Sequence, residues 1–113
     1  DWRPFIKAAM ERNPVSVEKA GHMSLEMFYE WLQSLNNESI YDLNRLSQPD
    51  EVVNYERGDG VEKAITLANI ILARKPEQKI QIDVDNSRVT LQADKSYEFE
   101  SAKSLKETII IPM

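Results

Sequence analysis

At Pro76 the hydrophobic period of this chain changes from that of a helix to that of a strand, and the change constrains the fold more than any other feature. Before it, Val61, Ala64, Ile65, Ala68, Ile71 and Leu72 follow the i, i+3, i+4, i+7 pattern of one helical face. Leu67 and Ile70 broaden that face, which predicts a helix buried on more than one side. Asp59 and Glu62 have the spacing of a capping box, with an acid in place of the usual Ser or Thr. Arg74 and Lys75 suit the negative end of the helix dipole, and Pro76 forbids continuation.

After Pro76 the alternation is strict. Ile80, Ile82 and Val84 alternate with Gln81 and Asp83, and Val89, Leu91 and Ala93 alternate with Thr90 and Gln92. Asp85-Asn86-Ser87 and Asp94-Lys95-Ser96 both carry turn chemistry, and Tyr97 with Phe99 marks a third strand. Thr108 to Ile111 is β-branched enough for a fourth strand, or for a stretch that pairs with sequence outside the chain. The expectation is a three- to four-stranded antiparallel β-meander over 77–113 with one face covered.

The helical part, 1–76, is expected to hold three to four helices packed on one face of that sheet, and the helix Val61 to Arg74 should lie against Ile80, Ile82 and Val84. Arg3 to Arg12 reads as a helix ended by Asn13-Pro14, and Val15 to Met23 as a connection. Ser24 is an N-cap for a helix whose buried face is Leu25, Phe28, Leu32 and Leu35, with Tyr29 and Trp31 at its rim. Between Glu38 and Tyr55, Ile40, Leu43 and Leu46 suggest helical turns, and Pro49 before Asp50-Glu51 a further helix start.

With 113 residues the chain fits a single α+β domain over 1–113. Asp1 is not a methionine and no signal peptide precedes it, so the chain reads as a fragment of a longer protein, with a cytoplasmic setting expected. Nineteen acidic residues face fourteen scattered basic ones, which argues against nucleic acid as a partner. No apolar run is long enough for a bilayer, so a membrane partner is not expected. The absence of cysteine removes disulfides, thiolate metal sites and cysteine nucleophiles.

Few residues invite chemistry. His22 is the sole histidine and lies in a connection beside Gly21, with no second histidine to help it hold a metal. Asp83, Asp85 and Ser87 have the spacing of a calcium loop, but Arg88 stands where glycine is required and the strand pattern claims the same residues. Arg57-Gly58-Asp59 spells an adhesion tripeptide, and Gly58-Asp59-Gly60 has the position of a phosphate loop, yet Asp59 serves better as a helix cap. The acidic segment 38–62 holds Glu38, Asp42, Asp50, Glu51, Glu56, Asp59 and Glu62, which can bind hard cations, do acid–base work, present a polar surface, or begin helices.

Gly58-Asp59-Gly60-Val61-Glu62-Lys63-Ala64, followed by Leu67 to Arg74, resembles the nucleophile helix of transglutaminase-like hydrolases. That resemblance implies a cysteine at position 60 and a histidine on a following strand. The chain has glycine at 60 and no histidine after it, so the resemblance implies an inactive relative.

These observations point first to a non-catalytic accessory or protein-interaction domain whose partners are other domains of its parent protein or a separate protein. No catalytic residue, metal ligand or cofactor is expected. The alternative is a sugar- or metal-binding or catalytic domain that uses the acidic segment and the aromatics near Trp31. For either reading the candidate surface is Tyr29, Trp31, Asp50, Glu51, Tyr55 and Glu56. A third possibility is a homo-oligomer formed through the last strand.

Overall fold

The computed structural model describes residues 2–42 and 45–111, as five helices followed by a two-stranded antiparallel sheet. The helices are α1 (Arg3–Glu11), α2 (Pro14–Ala20), α3 (Leu25–Ser34), α4 (Pro49–Tyr55) and α5 (Gly60–Arg74); the strands are β1 (Ile80–Gln92) and β2 (Ser96–Ile111). The fold is therefore α+β in the expected order, and no helix among the described residues is long and apolar enough to cross a membrane.

Helix α5 is the spine. From Gly60 to Ile71 every residue is buried, because α1, α2, α3 and α4 pack on it from one side and the hairpin from the other. Its apolar side chains join Ile6 and Ala9 of α1, Phe28 and Leu32 of α3, and Ile80, Ile82, Val84, Val89 and Leu91 of β1 in one core. Arg74, at its last turn, donates to the carbonyls of Ala20 and Met23 at 2.7 Å each, and so fixes the end of α2.

Two expectations change in the helical half. Val15 to Met23 is not simply a connection: Pro14 starts α2 rather than merely ending α1. Proline fits a first helical turn, where its missing N–H would be unpaired in any case. The helical turns expected between Glu38 and Leu46 are absent among the described residues, Leu43 lying outside them. Asn13 organises the junction, donating from Nδ2 to the carbonyls of Ala8 and Ala9 and accepting at Oδ1 from Asp50 N.

The three- to four-stranded meander is corrected to two long strands. Asp85-Asn86-Ser87 does not reverse the chain. Asn86 adopts a left-handed φ of 57° inside β1, and Ser104 one of 56° inside β2, where Ser101–Ser104 has only Ser87 opposite it. The turn chemistry is used for a bulge. The single reversal is at Ala93–Lys95, closed by Ala93 N to Lys95 O at 2.9 Å, with Gln92 opposite Ser96. Exposed ion pairs of Lys75 with Asp94 and of Glu26 with Lys95 tie that turn to the helices. Their hydrogen bond lowers the Glu26 pKa and raises that of Lys95. Thr108 to Ile111 forms the end of β2 and pairs with Ile80 to Asp83, so it is spent within the chain.

Candidate functional site

The start of α5 collects most of the buried polar chemistry. Asp59 is the N-cap and Glu62 the third helical residue, and each is at most 2% exposed. The Asp59 carboxylate accepts from Val61 N at 2.9 Å, from Ser101 Oγ at 2.7 Å and from Ala102 N at 2.7 Å. The Glu62 carboxylate accepts from Asp59 N at 2.8 Å, Ser39 Oγ at 2.7 Å and Ser47 N at 2.6 Å. Buried carboxylates persist only when their oxygens are met in this way. Asp59 thereby pins the β2 bulge to the helix, and Glu62 pins the ends of the 39–47 loop.

That loop has no helix or strand among its described residues, so its carbonyls need partners from elsewhere. Two cations, Arg57 and Lys103, supply them, and a third, Lys63, holds the carbonyl at the end of α3. Lys63 Nζ donates to Leu35 O at 2.8 Å, just ahead of the loop, and Arg57 donates to the carbonyls of Glu38 and Ser39. Lys103 Nζ donates to Tyr41 O at 3.0 Å and Arg45 O at 2.8 Å. Burial pushes the Lys63 ammonium below the ordinary lysine range, opposed by the nearby Asp59. Ser47 Oγ, by contrast, is buried without a partner among the described residues.

Position 60 is closed. A β-carbon built on Gly60 would lie 2.1 Å from Glu100 O and 2.6 Å from its carbonyl carbon, both backbone atoms. Gly60 has no positive φ, so glycine is required here for space and not for backbone conformation. The position at which the resemblance implies a cysteine is thus occupied by the β2 main chain.

Beside this junction lies an open groove of about 890 Å³, lined among others by Tyr29, Gln33, Lys63, Arg88, Glu100 and Ser101. Its α3 wall is committed to holding β2. Tyr29 Oη donates to Glu98 O at 2.9 Å and accepts from Glu98 N at 3.2 Å, and Gln33 Nε2 donates to Glu98 O at 2.7 Å. Asn37 Nδ2 donates to Glu100 O at 2.8 Å. Ser101 Oγ donates to the Asp59 carboxylate and accepts from Lys103 N, so the hydroxyl in the groove is engaged in joining the β2 bulge to the start of α5. His22 is exposed on the turn after α2.

The six residues singled out in the sequence do not converge on this groove. Tyr29 alone lines it, with its ring edge-on to Tyr97 and Phe99. Trp31 stacks on Phe28 at 5.6 Å, with Lys19 Nζ 5.0 Å from its ring centre. Asp50 accepts from Val15 N and Ser16 N and so caps α2. Glu51 accepts from Gln48 N at 2.9 Å and from the Tyr41 hydroxyl, a bond that raises the Tyr41 pKa. Tyr55 is 62% exposed, and Glu56 ends α4 with a left-handed φ of 52°. Among the described residues, no three His, Cys, Asp or Glu side chains are grouped to hold a metal ion.

Sequence reasoning missed Lys63 and Lys103 as buried cations. Lys63 carried one signal, a basic residue near the start of a helix expected to be buried on more than one side. The Asp59 tripeptide reading fails on burial, since the carboxylate faces inward. No protein-family model matches this chain, and no curated protein and no solved structure matches it either.

Proposed function

We propose that this chain is a non-catalytic protein-interaction domain of a larger cytoplasmic protein. The observation that carries the reading is the closure of Gly60 by the Glu100 backbone, because it leaves no room at position 60 for the nucleophile that the transglutaminase-like resemblance implies. The acids of the segment 38–62 support it further. Asp50, Glu51, Asp59 and Glu62 each accept hydrogen bonds that hold a helix start or a loop, instead of facing a common cavity. An inactive transglutaminase-like relative is a special case of this reading. No observation favours the sugar- or metal-binding alternative.

The test has two arms. The chain is incubated with a glutaminyl peptide and a primary amine, and separately with an activated ester; no turnover above buffer is expected. Its tryptophan fluorescence is titrated with Ca²⁺, Zn²⁺ and a panel of simple sugars to about 10 mM, with a flat response expected. Saturable turnover that is lost in Ser101→Ala, or a saturable fluorescence change, overturns the proposal.

A further inference from the structure

We infer that the free edge of β1 is a self-association surface on which a second copy of this chain adds its own β1, antiparallel and two-fold symmetric. This rests on the reading of the chain as an interaction domain, and names the partner.

The two edges of the hairpin are treated differently. On β2 the backbone of Glu98, Glu100 and Ala102 is bonded by Tyr29, Gln33, Asn37 and Asp59. Along Ile80–Gln92 no described residue outside the hairpin hydrogen-bonds the backbone, and α5 is the helix that packs on β1. Alternate residues of this thirteen-residue strand therefore present unpaired N–H and C=O groups at its outer edge. Such an edge is a template for another strand.

The register is written into the side chains. Ile80, Ile82 and Val84 are buried, Asp85 to Arg88 are exposed, and Val89 and Leu91 are buried again, so the bulge shifts the alternation by one residue. In an antiparallel pair, residues directly opposite each other share a face. A two-fold pairing centred between Asn86 and Ser87 sets Ile82 against Leu91 and Val84 against Val89 on the helix-covered face. On the other face it sets Gln81 against Gln92, Asp83 against Thr90 and Asp85 against Arg88. An unshifted strand in that register would oppose apolar to polar residues throughout. Here the two arms, 80–85 and 88–92, match on both faces.

Charge identifies the occupant. Charged residues on an edge normally deter pairing. Asp85 and Arg88 have opposite signs and sit symmetrically about the centre, so a second copy converts the deterrent into two equivalent ion pairs. Both side chains are available. Arg88 makes no hydrogen bond or ion pair among the described residues, although Glu100 lies opposite it on β2. The Asp85 carboxylate accepts only the Asn86 amide, at 3.4 Å.

Sedimentation of the whole chain from about 1 to about 300 μM tests the inference. The wild type is expected to form a dimer that dissociates on dilution. Arg88→Asp and Asp85→Arg, each placing like charges opposite one another, are expected to remain monomeric over that range. The double exchange is expected to restore the dimer. Amide exchange in Ile80–Gln92 should slow with concentration in the wild type and the double exchange only. Both sites are exposed, and unchanged circular dichroism and thermal midpoints at monomeric dilution establish that each variant is folded. A wild type that stays monomeric, a dimer indifferent to the single changes, or a double exchange that fails to restore it overturns the pairing. Those results leave the interaction-domain reading to other partners, whereas enzymatic turnover removes that reading whatever the oligomeric state.

Discussion

Helices α4 and α5 begin with the same device and use it at different depths. Each has an N-cap in extended backbone, Gln48 or Asp59, and a glutamate three residues on, Glu51 or Glu62, that reaches back to the N-cap amide. The second oxygen of each glutamate then grips the same loop, Glu51 through Tyr41, and Glu62 through Ser39 and Ser47. At the first helical position one has Pro49, which presets the backbone, and the other Gly60, which lets a strand pass. Glu51 is half-buried and Glu62 fully buried. A capping box at a surface tunes a helix start, whereas the same box in the interior joins three parts of the chain.

The largest way to break this comparison is Gly60→Ala. The added methyl meets backbone, which cannot rotate aside, so a lost or strongly weakened unfolding transition in urea is expected. A variant that unfolds like the wild type would mean that β2 does not press on α5 as described. Next come the paired changes Glu62→Gln and Glu51→Gln. The first turns an amide NH₂ toward buried donors and is expected to cost about 3 kcal/mol, against about 1 kcal/mol for the second, near the surface. Equal losses in chemical denaturation would erase the distinction of depth.

The smallest effect is a contrast in alkaline pH dependence. Lys63 has a lowered folded pKa, because burial disfavours its ammonium. Between that value and its unfolded one the unfolded chain binds more protons, so its contribution to stability rises with pH. Tyr41 has a raised folded pKa, because its hydroxyl donates to Glu51. Its contribution is fully present below the unfolded tyrosine value and is lost as pH rises to the folded one. Relative to wild type, Lys63→Met should lose the alkaline gain and Tyr41→Phe the alkaline loss. Slopes of the same sign in urea midpoints measured against pH would contradict the assignment.

The elements legible in the sequence were those set by neighbours in the chain. The Asp59–Glu62 spacing, the period of α5, the Ser24 cap and the reversal near Asp94 all depend on residues a few positions apart, and each is found. The strand count was misread because Asn86 favours a left-handed backbone equally in a turn and in a bulge, and the choice depends on Ser101–Ser104 across the sheet. The role of Gly60 was hidden for a similar reason, since Glu100 is forty residues away in the chain. The loop cations were illegible because a lysine that caps a distant carbonyl looks, in sequence, like any lysine. Acidity around 38–62 suggested a site. The carboxylates there with buried or helix-capping bonds are fastenings.

The fastening of the loop also orders events in time. Its clamps arrive at different times in synthesis: Ser39 and Ser47 leave the ribosome early, Glu62 later, and Lys103 later still. Translation adds residues one at a time, so α1 to α4 emerge well before the strand pair that must cover α5. Until Ser101 and Ala102 reach Asp59, the start of α5 is an unsealed polar end beside an apolar helix. The face of α5 that the hairpin covers thus waits for the length of a hairpin, and the bulge of β2 is the latch that ends that interval.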